Sequence, residues 1–194
     1  DEIYEHINYI GHHESIAQFP GMKERAIIVN GVSKAYAMTG WRIGFIAAPQ
    51  WIVKGCNKLQ GQYTSGPCSV SQKAAETAYT LPQDCVETMR QAFERRRDLI
   101  VELAKEIPGL EVNKPEGAFY LFPKCSSFYG KTDGTHTINN STDLAMYLLE
   151  VGHVATVGGD AFGDPDCFRM SYATSDDNIR EAMSRIKDAL AKLK

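Results

Sequence analysis

The chain has 194 residues, of which 43% are hydrophobic and 23% charged, and its formal net charge is −3 at pH 7. This composition is ordinary for a globular protein, and the acidic balance argues against nucleic acid or an anionic membrane surface as a partner. The apolar runs are too short to span a bilayer. The five cysteines are odd in number and lack metal-ligand spacing, so we expect no metal site and reduced thiols in a cytoplasmic protein.

The first part of the chain combines apolar runs with helical patterns. Strands are expected near residues 26–29 and 43–48, and helices over residues 51–62, 69–80 and 83–106. Gly66 and Pro67 separate the first two helices, and Pro108 follows the third. The basic run from Arg95 to Arg97 in the third helix is expected to be a solvated helix face. These elements predict an α/β fold with a long helix near the middle.

The second part of the chain predicts a smaller α/β unit. Strands are expected near residues 110–112, 118–122, 154–157 and 168–173, and helices over residues 142–150 and 176–193. Ser141 and Ser175 are the expected N-caps of the two helices. The last helix should bury one apolar face, formed by Ile179, Met183, Ile186 and Leu190.

The strongest signal is the segment from Ser33 to Gly44, which follows the first apolar run. Lys34 leaves the end of the expected strand, and Arg42 lies eight residues further on, between Gly40 and Gly44. A partly desolvated lysine near another cation is a good nucleophile toward aldehydes. An arginine binds phosphate with two hydrogen bonds, and glycines let the backbone approach a ligand closely. The combination suggests pyridoxal phosphate (PLP), which carries both an aldehyde and a phosphate.

The pattern of this segment, S-K-x-x-x-x-x-G-x-R-x-G, resembles the lysine motif of class I/II aminotransferases, which are PLP enzymes of fold type I. Three further segments agree in order and spacing with the family. Residues 1–4 look like its D-x-x-Y segment, residues 117–120 like its G-A-F-Y strand, and residues 168–173 like its F-R-x-S-x-A strand. The resemblance covers nearly the whole chain and is closest to the aspartate/aromatic aminotransferase branch.

The resemblance implies an α/β fold that is the C-terminal part of the PLP-dependent transferase fold. It assigns residues 1–82 to the C-terminal part of the mixed-sheet, PLP-binding large domain, residues 83–107 to an interdomain helix and residues 108–194 to a small C-terminal domain. In the family, the phosphate loop, the aromatic residue that stacks on the ring and an asparagine near the ring oxygen precede the position of Asp1. We therefore expect this chain to be a C-terminal fragment that is inactive alone.

The resemblance also implies a role for each cofactor-binding residue. Lys34 would hold the PLP aldehyde as an aldimine, and its freed amine would then act as the general base at the substrate Cα. Asp1 would pair with the pyridine nitrogen, and Tyr4 would donate a hydrogen bond to the ring O3′. Arg42, helped by Ser33, would bind the phosphate.

Two further positions bear on the predicted site. Arg169 would hold the substrate α-carboxylate, and the less favoured alternative for the residue considered by itself is a structural ion pair inside a strand. The family often has a hydroxyl residue three positions before the lysine as a phosphate ligand. Here that position is Gly31, so the contact is either lost or made by a backbone N–H.

The implied function is transfer of an amino group between an amino acid, aspartate or a similar one, and a 2-oxo acid, in a cytoplasmic homodimer without nucleic acid or membrane. Two alternatives share the motifs: a PLP-dependent carbon–sulfur lyase, and the aminotransferase-like domain of a PLP-binding transcription regulator. The glycines of residues 158–163 have the wrong spacing for a phosphate loop and are expected to form a turn near the active-site entrance. His6, His12 and His13 are expected to be surface residues.

Overall fold

A computed structural model describes residues 1–194 and shows two compact units. The first unit comprises Asp1–Gln91 and the second Ala92–Lys194. The division falls inside one long helix, α3 (Asp84–Lys105). The domain limits implied by the resemblance stay a prediction. None of the helices is long and apolar enough to cross a membrane.

The first unit contains a two-stranded antiparallel sheet followed by helices. Its elements are β1 (Ile28–Gly31), β2 (Gly44–Ala47), α1 (Gln50–Tyr63), α2 (Ser69–Thr80) and the start of α3. Gly31 lies directly opposite Gly44 in the sheet. The first strand begins two residues later than predicted because the Ala26 N–H donates to the Met22 carbonyl (2.8 Å) and closes a turn there. The helices lie where the periodicity predicts them.

The second unit is a three-stranded antiparallel sheet packed with helices. After α3 it contains β3 (Tyr120–Leu121), α4 (Ser141–Glu150), β4 (Val157–Gly158), β5 (Phe168–Ser171) and α5 (Asp176–Leu190). The strand order is β3-β5-β4. The core holds fully buried side chains from the sheet and from both short helices, among them Leu121, Leu144, Leu148, Phe168 and Ile186.

All four strands expected in this unit are shorter than predicted. The expected strand at residues 110–112 is reduced to an isolated bridge between Glu111 and Lys124. The run at 118–122 forms only β3, because Ala118 has a positive φ of 57° that ends the extended backbone. His153, with φ 54°, turns the chain in the same way before β4. The ends of these strands are set by their pairing partners and by turns of the backbone. Residue composition reveals neither of these.

The caps of α4 and α5 differ in how well they were predicted. Ser175 caps α5 as expected, since its side chain accepts from the Asn178 N–H, and all four predicted apolar residues of α5 are buried. The predicted cap of α4 was wrong. Asn140 is the N-cap, and its side chain accepts from the Asp143 N–H. Ser141 lies inside the helix because its hydroxyl accepts from the Gly159 N–H (3.0 Å) instead.

The basic run of α3 is not a uniformly solvated face. Arg97 is only 4% exposed and donates to the Pro115 carbonyl (3.0 Å) and to Asp98 (2.9 Å). Arg95 and Arg96 both contact Asp176 in the first turn of α5, and hydrogen bonding from Arg95 lowers the pKa of that carboxyl. The run therefore ties α3 to the rest of the second unit.

Candidate active site

Lys34 lies on a short turn directly after β1. The turn is fixed by the buried side chains of Val32 and Ala35 and by a hydrogen bond from the Tyr36 N–H to the Val32 carbonyl (3.3 Å). Lys34 is half-buried, and its Nζ lies 5.8 Å from the centroid of the Tyr4 ring. The structure thus brings together the predicted attachment lysine and the predicted tyrosine, in a distance range where an ammonium group is attracted to a ring face.

A pocket of about 290 Å³ opens beside the β1–β2 pair. Three predicted cofactor residues line it, namely Asp1, Ser33 and Arg42. Arg42 has a left-handed backbone (φ 51°) at the end of a 3-10 turn, and its Nη1 donates to the Thr39 carbonyl (2.9 Å). Neither the Ser33 hydroxyl nor the remaining edge of the Arg42 guanidinium has an acceptor within the chain. The pocket therefore offers hydrogen-bond donors and a positive charge to an anion.

The wall of this pocket is bare backbone at the glycine pair. A Cβ at Gly31 would lie 2.9 Å from the Ile43 carbonyl oxygen and 3.1 Å from the Gly44 Cα. A Cβ at Gly44 would lie 3.2 Å from the Asn30 carbonyl oxygen. The hydroxyl residue that the family often carries at the position of Gly31 would therefore need β1 and β2 to move apart.

Asn30 is a residue of this site that the sequence analysis missed. It is buried at the end of β1, its Oδ1 accepts from the Gly31 N–H (2.7 Å), and its Nδ2 donates to Glu5 (2.7 Å). The Gly31 N–H is thus already used within the chain, so of the two predicted alternatives, a lost contact or one made by a backbone N–H, the second would need a different N–H group. The only feature of the sequence that could have indicated this role is the polar Asn30 inside an apolar run.

Arg169 lies in the second unit, on β5, between two aromatic rings. Its guanidinium carbon is 4.4 Å from the centroid of Tyr120 and 4.0 Å from that of Phe162. The side chain is half-buried and makes no ion pair or hydrogen bond with the chain. The structural ion pair that was considered as the alternative role of Arg169 is therefore absent. The N–H groups of its guanidinium can donate to a carboxylate from outside the chain.

Two other sequence features have structural roles. The glycine segment at 158–163 forms the expected turn, a 3-10 helix over Gly159–Phe162 ended by Gly163 at φ 86°. The three histidines of the first loop each contact a carboxylate. His6 contacts Glu5, His12 contacts Glu14 and His13 contacts Glu2, at distances from 2.7 to 3.5 Å. His12 is exposed as predicted, whereas His6 and His13 are half-buried.

The pocket and the adjacent lysine lie in the first unit and the aromatic-flanked arginine in the second, each within one of the motifs of the sequence. The family model for aminotransferase class I and II matches residues 1–186. The chain therefore belongs to the class I and II aminotransferase family, as the motifs predicted.

Known relatives agree with this assignment. A bifunctional aspartate aminotransferase and glutamate/aspartate-prephenate aminotransferase from Petunia hybrida is 51% identical over all of this chain, which covers 42% of that protein. The crystal structure of the aspartate aminotransferase from Rhizobium meliloti is 47% identical with a TM-score of 0.94, covering 100% of this chain and 49% of the other. An aromatic aminotransferase from Pyrococcus horikoshii OT3 is 40% identical with a TM-score of 0.88, covering 98% and 50%.

The chain thus spans about half the length of the relatives it matches. The predicted fold class, the C-terminal part of the PLP-dependent transferase fold, is confirmed by these structures.

Proposed function

We propose that these residues belong to a PLP-dependent aminotransferase that moves an amino group between an amino acid, aspartate or a similar one, and a 2-oxo acid. The observation that carries the proposal is the pocket lined by Asp1, Ser33 and Arg42, with Lys34 as the next residue after Ser33. Family membership and the names of the relatives support it. No observation favours a carbon–sulfur lyase or a transcription regulator.

The residues of the pocket fit the chemistry of PLP. Arg42 and Ser33 have donors without an acceptor, which suits a phosphate, and the bare backbone at Gly31 suits close approach of a ligand. In our proposal the Asp1 carboxylate pairs with the pyridine nitrogen of PLP, and the Tyr4 hydroxyl donates a hydrogen bond to the ring oxygen of PLP. Bound PLP supplies an electron sink for charge that develops at the substrate Cα.

The protein residues supply binding and proton transfer. Lys34 is the attachment lysine, and its Nζ accepts the proton from the substrate Cα and returns one later in the reaction. Arg169 binds the α-carboxylate through the edge of its guanidinium and so orients the substrate.

We further propose that the protein is a cytoplasmic homodimer that uses neither nucleic acid nor a membrane. The first unit exposes large apolar side chains, and none of the residues of α1 is buried. Apolar surface of this extent commonly marks an interface. All five cysteines are free thiols, which is their usual state in the cytoplasm.

The test of the proposal is the site of cofactor attachment. It uses the full-length protein, meaning these residues with whatever sequence accompanies them in the cell. Incubation with PLP should give a visible chromophore, and borohydride should fix the label on Lys34 alone. Lys34→Ala should lose both chromophore and label, whereas the matched variant Lys58→Ala, an exposed lysine of α1, should keep both.

Peptide mapping and turnover assays distinguish the remaining outcomes. A label on Lys23, Lys54 or Lys58 would contradict the assignment of Lys34. Amino transfer from aspartate to 2-oxoglutarate would support the proposed activity. Release of a thiol from an S-substituted cysteine, with no requirement for a 2-oxo acid, would instead support the lyase.

A further inference from the structure

Arg169 is enclosed by aromatic side chains from two separate segments. Tyr120 lies on β3, and Phe162 ends the 3-10 turn that follows β4. Both centroids lie within 4.4 Å of the guanidinium carbon. The two rings therefore pack over the guanidinium from separate segments of the chain.

Further rings support both walls of this enclosure. On the inner side, Tyr120 packs against Phe119 (4.8 Å), which packs against Phe93 (5.2 Å). On the outer side, Phe162 meets the edge of Phe122 at 6.1 Å and 90°. Phe162 is itself 43% exposed, so it forms the solvent-side wall. A ring held by other rings has a defined orientation.

The edge of the Arg169 guanidinium is the part left for a ligand. A guanidinium has five N–H donors in its plane, and none of those of Arg169 is used by an acceptor of this chain. A ligand that reaches such an edge in two places carries two acceptor oxygen atoms, as a carboxylate or a phosphate does.

We propose that Phe162 is a positioning residue that, with Tyr120, fixes the plane of Arg169 so that its edge is presented to the substrate carboxylate. The inference rests on the proposed role of Arg169 in substrate binding. It adds a residue that acts through the arginine and makes no contact with the reacting atoms. Phe162 should therefore affect the binding of every carboxylate substrate alike and the rate of the bound complex little.

The experiment compares variants of the full-length protein. Phe162→Ala should raise the KM for the amino acid, the KM for the 2-oxo acid and the Kd of succinate about fivefold each, since one cation–π contact at a partly exposed site is lost. The kcat should change less than about twofold. Succinate lacks an amino group, so its binding, measured by calorimetry, reports on the carboxylate site without turnover.

Two further variants keep the interpretation specific. Phe162→Tyr retains a ring and should restore KM and Kd to within about twofold of the parent. Leu149→Ala removes a similarly exposed apolar side chain of the same unit, on α4, and should leave all three constants unchanged. If Phe162→Ala does not fold, Phe162→Leu keeps most of the volume without the ring and should show the same loss of affinity.

A double-variant cycle with Arg169→Lys separates the possible outcomes. Phe162→Ala should add less than about twofold in the Arg169→Lys background, because the planar group that it orients is gone. A further fivefold loss there would mean that Phe162 contacts the ligand itself and would overturn the inference. Unchanged constants for Phe162→Ala, with Arg169→Lys impaired, would overturn the inference but leave the proposed function intact. Unchanged constants for Arg169→Lys would contradict the proposed function.

Discussion

Arg169 is half-buried on a strand without any anionic partner in the chain. Holding an arginine in this way is costly unless a ligand completes its hydrogen bonds. The two flanking rings offset part of that unfavourable free energy, because they stabilise the cation without occupying its N–H groups. The arrangement suits a residue that must stay charged, oriented and open to a ligand.

We predict that Arg169→Lys raises the KM for amino acids and 2-oxo acids alike by about tenfold or more in the full-length protein. Lysine keeps the charge but lacks the planar two-point fork of arginine. The substitution therefore removes about one charge-assisted hydrogen bond to the substrate. Steady-state kinetics with both substrates measure the effect. Arg95→Lys is the matched control, since Arg95 is exposed and pairs with Asp176. An unchanged KM for both substrates would show that Arg169 does not bind them.

The motifs indicate Lys34, Arg42 and Arg169, which stay predicted site residues, but they do not indicate which side chains support them. Lys34, Arg42 and Arg169 stand in recognisable motifs, so their types and spacing were informative. Asn30 and Phe162 were missed because their roles depend on contacts across strands and turns. Nothing in their sequence neighbourhood states which side chain will face them.

At the scale of elements, the loop at residues 131–138 is held by one carboxylate. Asp133 accepts from the N–H groups of Thr135 (2.9 Å) and His136 (2.7 Å) and contacts the His136 ring (3.2 Å). The backbone hydrogen bond from His136, followed by that from Thr135, lowers the pKa of Asp133 to about 2. The same loop pairs with the end of the chain through two backbone hydrogen bonds between Thr132 and Lys194, each 3.0 Å.

We predict that Asp133→Asn lowers the melting temperature of the protein by a few degrees at pH 7. The folded-state pKa of Asp133 is lowered, so its stabilising effect is complete above the ordinary aspartate pKa of about 4 and is lost as the pH falls toward about 2. The difference between variant and parent should therefore shrink over that interval. Asp188→Asn, an exposed position on α5, is the control. A difference that stays constant from pH 7 to pH 2 would argue against the role of the carboxylate charge.

Helices were predicted better than strands, for a physical reason. The periodicity of a helix is written along one segment, and α2 has the predicted limits Ser69–Thr80. A strand ends where its partner ends or where the backbone turns, as at Ala118. The sequence therefore predicts where the sheet of the second unit lies in the chain, but it does not predict the lengths of its strands.

At the scale of the whole molecule, the two units differ in how much apolar surface they cover. In the first unit, Trp51 is 75% exposed and Tyr63 is 82% exposed, and both lie on α1. The second unit buries Leu121, Phe168 and Met170 of its sheet and the apolar face of α5. The relatives are about twice as long as this chain.

We predict that the 194 residues alone have no transaminase activity, bind PLP weakly or not at all, and associate with other chains. The exposed helix α1 and the outer edge of β2 in the two-stranded sheet favour association. The measurement combines size-exclusion chromatography with an assay containing PLP, aspartate and 2-oxoglutarate. The full-length protein is the positive control. Turnover by a demonstrably monomeric 194-residue chain would contradict the prediction.

The facing glycines Gly31 and Gly44 limit how this pocket can vary over evolution. Since each would bring a Cβ against the opposite strand, a side chain gained at one position requires the strands to separate, and no second change at the other glycine can make room by becoming smaller. A side chain at either position therefore goes with a wider spacing of the two strands, and hence with a differently shaped wall of the pocket.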